Sequence, residues 1–111
     1  MDRLDTYRQI IRNTLQPYAA ITYANVNVRN RAAFDPDNDQ YVILSEGWEH
    51  TRHLHGCLIH IEIIDGKVWV QQDGTEDGVT NELVAAGIPK TDIVLGFQEP
   101  AVRPYTGFAI A

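Results

Sequence analysis

Leu54-His55-Gly56-Cys57-Leu58-Ile59-His60-Ile61-Glu62-Ile63-Ile64 runs into Asp65-Gly66 and out through Lys67-Val68-Trp69-Val70-Gln71-Gln72. Two alternating runs of β-forming residues joined by Asp-Gly predict a hairpin closed by a two-residue type I′ turn, whose central residues both take positive φ. Such a turn fixes the pairing register. Ile64 then faces Lys67, Ile63 faces Val68, Glu62 faces Trp69, Ile61 faces Val70 and His60 faces Gln71. One face of the ribbon is apolar on both strands, so Cys57, Ile59, Ile61, Ile63, Val68 and Val70 are the expected core. The other face is mixed, and Trp69 stands on it as a large apolar group that needs cover from a helix or from another chain.

Upstream, Leu4, Tyr7, Ile11 and Leu15, with Ile10 beside them, mark the apolar stripe of an amphipathic helix over about Asp5 to Gln16, with Asp2 as N-cap and Pro17 as its stop. From Ile21 to Phe34 alternation takes over, with Tyr23, Val26 and Val28 among polar residues, and predicts an irregular strand. Asp35-Pro36-Asp37-Asn38-Asp39 is dense in turn formers and closes a hairpin onto a strand from Gln40 to Trp48.

Downstream, Asp73-Gly74 leads to Thr75-Glu76-Asp77-Gly78. Thr75 is the expected N-cap of a helix from Glu76 to Ala86, with two acids in its first turn and Val79, Leu83 and Ala86 as its stripe. Gly87 suits the left-handed position after the helix, and Ile88 can fold back on Leu83 before Pro89. The run Thr91 to Phe97 reads either as a short capped helix or as a buried strand, and periodicity does not separate the two. Pro100 and Pro104 limit the tail to about one turn near Ala101 to Arg103. The sum is one α+β domain over residues 1–111: an N-terminal helix, an antiparallel sheet of about four strands, a second helix and an irregular C-terminal tail.

The 111 residues are 44% hydrophobic and 22% charged, the composition of a globular chain, and no stretch approaches the roughly 20 apolar residues of a membrane span. Met1-Asp2-Arg3-Leu4-Asp5 is too acidic for a secretory leader, which places the protein in the cytoplasm. Cys57 is the only cysteine, so an intrachain disulfide and a cysteine-rich zinc site are both excluded. The net charge is −6, and it is uneven: residues 1–60 hold 6 basic and 7 acidic groups, residues 61–111 hold 3 and 8. Affinity for DNA comes largely from Lys and Arg neutralising phosphates. The second half repels that polymer, and the basic groups nearest to a patch are Arg3, Arg8 and Arg12 on the first helix with Arg29 and Arg31 on the first strand. Direct DNA binding by this chain alone is therefore disfavoured.

Four sites invite chemistry. His50, His53, His55 and His60 fall within eleven residues, yet a strand from Leu54 onward sends His55 and His60 to opposite faces and leaves His50 and His53 in the preceding turn. Surface and hydrogen-bonding roles are preferred to a metal site. Asp35, Asp37, Asp39 and Glu46 match positions of a calcium loop, but Gln40 stands where its glycine is required and strands flank it. A solvated turn is preferred. Asp73, Glu76 and Asp77 have the carboxylates of a divalent-cation site, and helix capping accounts for all three. Ser45, the only serine, lies inside a strand, and neither a phosphate-cradling glycine loop nor a nucleophile elbow is present. No catalytic residue, metal or cofactor is expected.

Gly47-Trp48, Arg52, His55-Gly56, His60, Gly66 to Gln71, Asp73-Gly74-Thr75-Glu76-Asp77-Gly78-Val79, Glu82-Leu83-Val84, Gly87-Ile88-Pro89-Lys90, Asp92 to Phe97, Pro100, Arg103, Thr106 and Phe108-Ala109 together resemble the XisI family. These are the controlling factors for excision of the fdxN element in cyanobacteria. The resemblance covers essentially the whole chain and is densest from Gly47 to Ala109. It implies an accessory protein for DNA rearrangement during heterocyst development, working with a separate recombinase and with XisH, a companion that resembles nuclease-fold proteins. The family has no assigned active site to carry over. Gln98-Glu99 before Pro100 is more acidic than the family's usual choice there, which weakens any nucleic-acid role for the tail.

These readings converge on a non-enzymatic regulatory subunit that binds a protein partner, an XisH-like companion or the recombinase. Trp48, Arg52, His60, Trp69 and Arg103 are the candidate contacts, since aromatic and Arg side chains dominate such interfaces. The alternative is a small excisionase-like factor that binds DNA through Arg3, Arg8, Arg12, Arg29 and Arg31. Strand edges and Trp69 also make a homo-oligomer reasonable.

Overall fold

Asp65 and Gly66 take φ of 50° and 79°, the paired left-handed geometry of the type I′ turn. The structure, a computed structural model, describes residues 2–111. Around the turn, Ile64 pairs with Lys67, Ile63 with Val68, Glu62 with Trp69 and Ile61 with Val70. The hairpin is the centre of a five-stranded sheet in chain order: β1 (Asn27–Asp35), β2 (Gln40–Glu49), β3 (Arg52–Ile64), β4 (Lys67–Asp73) and β5 (Ile93–Leu95). The first four strands form an antiparallel meander, and β5 runs parallel to β4.

The run from Thr91 to Phe97 thus resolves as a strand. Ile93, Val94 and Leu95 are all buried; Ile93 and Leu95 join the core, Val94 points to the opposite face, and the tail pairs along the open edge, where Val94 bridges Ala109. A strand buried on both faces carries no alternation, which is why its period is uninformative. This fifth strand makes the sheet mixed, one strand larger than the sequence alone suggests.

Two bulges break the simple count outward from the turn. Ile61 pairs with Val70 but His60 pairs with Gln72, so Gln71 is the extra residue on β4. Ile43 pairs with Ile59 but Leu44 pairs with Cys57, so Leu58 is extra on β3. A bulge reverses which way the following side chains point. His60 therefore does not face Gln71, and Cys57 is exposed, opposite Leu44 on the outer face instead of inside. Ile59, Ile61, Val68 and Val70 are fully buried as expected, and Ile63 is partly buried against them.

α1 (Arg3–Ala19) lays Tyr7, Ile11 and Leu15 on the inner face of the sheet, against the cluster that contains Tyr41 and Ile43. Asp2 Oδ1 accepts from the Leu4 amide at 3.0 Å and caps it. Pro17 does not stop the helix, which runs on to Ala19. A proline deletes a single amide bond, and the extra turn is held from outside: the Tyr18 hydroxyl donates to Glu82 and the Tyr18 carbonyl accepts from Asn30 Nδ2 at 2.9 Å.

α2 (Val79–Ala85) starts three residues later than expected, and its cap is not Thr75. Asp73 Oδ2 accepts from the Val79 amide at 2.8 Å, while Asp73 Oδ1 takes the Thr75 amide at 3.0 Å and the Thr75 hydroxyl at 2.5 Å. With one carboxylate gathering these donors, Gly74 to Gly78 becomes a loop ahead of the helix, Glu76 and Asp77 sit outside the first turn, and Ala86 is exposed as C-cap. The far end follows the sequence closely. Gly87 takes φ of 119°, its amide donates to the Val84 carbonyl, and the Ile88 amide donates to the Leu83 carbonyl at 3.1 Å, with Ile88 fully buried. No helix among the described residues is long and apolar enough to cross a membrane.

Candidate functional site

Because α1 and the core occupy the inner face of the sheet, the opposite face of β1, β2 and β3 carries no helix among the described residues. Cross-strand partners share a face, so the register assigns its rows. Asn27, Trp48 and His53 form one, Arg29, Glu46 and His55 the next, and Arg31, Leu44 and Cys57 a third. Trp48 is 49% exposed. Its ring lies 4.7 Å from that of His53, which stacks in turn 6.2 Å from His55. His53 Nε2 stands 3.0 Å from Glu46 Oε2. This bond, reinforced by the nearby charges of His53, Arg29 and Arg31, holds the Glu46 carboxyl below its usual range.

The bulge at Leu58 changes the histidine geometry predicted from simple alternation. His53 lies within β3 rather than in the turn before it, and His55 and His60 both point to the outer face. His60 sits five residues beyond His55, and its Nε2 meets Gln40 Oε1 at 2.8 Å. Gln40 Nε2 donates to Glu62 at 2.9 Å, and Gln71 Nε2 donates to the same carboxylate at 2.9 Å. No three His, Cys, Asp or Glu side chains among the described residues are placed to hold a metal ion.

Next to this network Trp69 is half-buried, and the Arg103 guanidinium covers it at 5.1 Å from the ring centroid. Within the chain, the cover comes from the C-terminal tail rather than from α1 or α2. Of the five candidate contacts, Trp69 and Arg103 are thus joined directly, and His60 is bonded through Gln40 to Glu62, the cross-strand partner of Trp69. Trp48 and Arg52 stand apart, at the β2–β3 turn, where Arg52 pairs with Glu49 at 3.4 Å.

A family model described as XisI protein matches residues 1–110. The chain belongs to the XisI family. A solved XisI-like protein from Anabaena variabilis shares 34% identity over 98% of this chain and 100% of that one, with a TM-score of 0.90. The fdxN element excision controlling factor XisI from the same organism shares 35% identity over 99% of this chain and 100% of that one, with a TM-score of 0.84. Curated protein sequences give no match.

The arginines of this XisI-family chain do not form one basic surface. Arg8 is clamped between Asp39, 2.7 Å from its Nε, and Asp5, 2.6 Å from its Nη1, and those bonds push its pKa up. Arg3 donates to the Gly66 carbonyl at 3.3 Å. Arg12 is exposed on α1, which packs on the inner face, whereas Arg29 and Arg31 alternate with buried Asn30 and so belong to the outer one. In the β1–β2 turn, Asp35 Oδ1 accepts from the amides of Asp37 and Asn38, and Asp39 takes φ of 52° while holding Arg8. Each of these carboxylates has a local task.

One feature of this chain is not legible in its sequence at all. A cleft of about 300 Å³ opens between the segment after α1 and the loop after β4, lined by Tyr18, Ile21, Tyr23, Leu58 and Gly74 to Asp77. Its walls come from three distant stretches, so no local pattern announces it.

Proposed function

We propose that this chain is a non-catalytic controlling factor for excision of a DNA element of the fdxN type, and that it acts by docking onto a protein partner, an XisH-like companion or the recombinase. Membership of the XisI family supports the excision role. The observation that carries the docking role is Trp48, a large aromatic side chain half in solvent on a sheet face without helical cover. Exposed aromatic side chains are among the groups on which protein interfaces concentrate their energy, and Trp48 presents one at the β2–β3 end of this face. The acidic balance of residues 61–111 adds attraction for a basic partner surface of the kind that binds DNA. The excess of protein over DNA as the target follows from the same charges, and from the pairing of Arg8 with Asp39 and Asp5.

Co-expression with an XisH-like companion and with a recombinase, followed by co-purification at low and physiological salt, tests this. One of the two is expected to stay with the chain, and Trp48→Ala is expected to weaken the complex by about tenfold or more. Failure of both to associate would overturn the docking role. A steeply salt-dependent gel shift by the purified chain would instead favour the reading in which Arg3, Arg8, Arg12, Arg29 and Arg31 bind DNA.

A further inference from the structure

We propose that the cleft between the end of α1 and the β4–α2 loop seats one Lys or Arg side chain, presented by a basic segment of the partner protein. For the existence of that partner the proposal rests on the docking role above; for the chemistry it rests on the cleft.

The side of the cleft built by Tyr18, Ile21, Tyr23 and Leu58 is largely apolar and only partly shielded. Ile21 is 40% and Tyr23 38% exposed, and Leu58 is the bulged residue of β3, half-buried beside them. The rings are fixed in place. Tyr23 Oη accepts from the Nδ2 of buried Asn30 at 3.0 Å, and the Tyr18 hydroxyl donates to Glu82. The loop is fixed as well, because the Gly74 amide donates to the Leu58 carbonyl at 2.7 Å and Asp73 ties down Thr75 and Val79. At the rim stand Glu76 and Asp77. Among the described residues neither carboxylate has an ion-pair or hydrogen-bond partner, and capping falls to Asp73 instead. Burial first, then the bond to Glu82 and the charges of Glu82 and Asp73, push the Tyr18 phenol up to about 12, and Glu82 and Asp73 add to the negative charge around the cleft.

These features select one kind of occupant. A long cationic side chain lays its methylenes on Leu58 and Ile21, passes the electron-rich faces of the tyrosines and brings its head to the free carboxylates. An anionic group is repelled. A purely apolar side chain leaves both carboxylates unanswered. The volume lies at the bottom of the range for small-molecule pockets and accommodates a single side chain.

Amide-resolved NMR titration of the intact chain with the capped peptide Leu-Arg-Leu, and with its citrulline counterpart, tests the proposal. The arginine peptide is expected to shift the amides of residues 18–23, 58 and 74–77. The citrulline peptide, isosteric but neutral, should bind about tenfold more weakly. Glu76→Gln with Asp77→Asn should weaken the arginine peptide by a similar factor while the rest of the spectrum stays unchanged, since both residues are exposed and outside α2. Shifts elsewhere, no shifts, or equal response to both peptides would overturn the cleft assignment. So would full capture of the companion or recombinase by the double variant, which leaves the docking role standing. Arginine-peptide binding at these residues, with no companion retained by the wild-type chain, would support the cleft and sink the docking role.

Discussion

Arg103 lies over the Trp69 ring, its guanidinium carbon 5.1 Å from the indole centroid. From that position its Nε donates to the Gln98 carbonyl at 3.1 Å and its Nη2 to the Gly96 carbonyl at 3.4 Å, so one side chain closes the tail onto the sheet. A planar cation is needed to stack and to bond two carbonyls at once, and a lysine cannot do both. Arg103→Ala should cost about 1–2 kcal/mol, and Arg103→Lys should recover less than half of that. In a Trp48→Phe background the remaining indole emission should move to the red as Trp69 is uncovered. Urea unfolding and fluorescence check this; an unshifted spectrum with unchanged stability would show that the tail is held by other means. The same geometry separates two kinds of anchor. Loss of partner capture in Arg103 variants should track loss of stability, whereas Trp48→Ala should lose capture with the fold intact.

Asp73 is the group on which the start of α2 depends. Its carboxylate receives two amides and a hydroxyl, including the first helical amide, Val79. Asp73→Ala should therefore cost about 1–2 kcal/mol, and Thr75→Ala, which removes one donor from an acceptor that keeps others, about 0.5 kcal/mol. Urea midpoints of the two variants give the order. A larger loss for Thr75→Ala would restore that residue as the cap.

That reversal illustrates what the sequence conveys. The Asp65-Gly66 turn, the stripe Tyr7, Ile11, Leu15 and the Gly87-Ile88 helix ending were all legible, because each is decided by residues within a few positions of one another. What escaped depends on groups far apart in the chain. Asp73 wins over Thr75 as cap because the β4–α2 loop curls back against Leu58. Pro17 is carried inside α1 by Asn30 and Glu82. Cys57 faces outward because Leu58 is an extra residue, and nothing in an alternating run declares a bulge. Trp69 was readable as a group in need of cover, but its cover is an arginine 34 positions away. Of the candidate site, then, the residue types were readable and their grouping was not.

Three tyrosines should govern alkaline stability. Tyr7 bonds to Asp92, Tyr18 to Glu82 and Tyr41 to Asp39, and burial first, then those carboxylates, push all three phenols up to about 12. In the unfolded chain they ionise near 10. Above that pH the unfolded state has lost protons that the native state keeps, so stability falls as pH rises. Their contribution should be intact below pH 10 and drain away toward pH 12. Phenolate absorbance should therefore rise together with the loss of helical circular dichroism, and Tyr7→Phe with Tyr18→Phe should flatten the slope. A slope unchanged in the double variant would place the alkaline transition elsewhere.

Gly47 and Gly56 lie two register steps apart across β2 and β3, since Ser45 pairs with Gly56 and Gly47 with Leu54, yet they should respond oppositely to the same substitution. A Cβ on Gly47 would sit 2.6 Å from Val28 Cα and 2.8 Å from the Asn27 carbonyl carbon, whereas one on Gly56 would meet nothing within 4 Å. The obstacle at Gly47 is backbone, which cannot rotate away, so the start of β1 must lift off β2. Gly47→Ala should cost about 2–3 kcal/mol. Gly56→Ala should be neutral or stabilise by up to about 1 kcal/mol through the unfolded state. Thermal unfolding of the pair checks the sign. The consequence reaches the docking surface, because Asn27 forms one row with Trp48 and His53. With β1 displaced at that point, partner capture should fall for Gly47→Ala even at temperatures where the fold persists, and hold for Gly56→Ala. Equal capture by both variants would mean that the β1 end of the outer face is not where the partner sits.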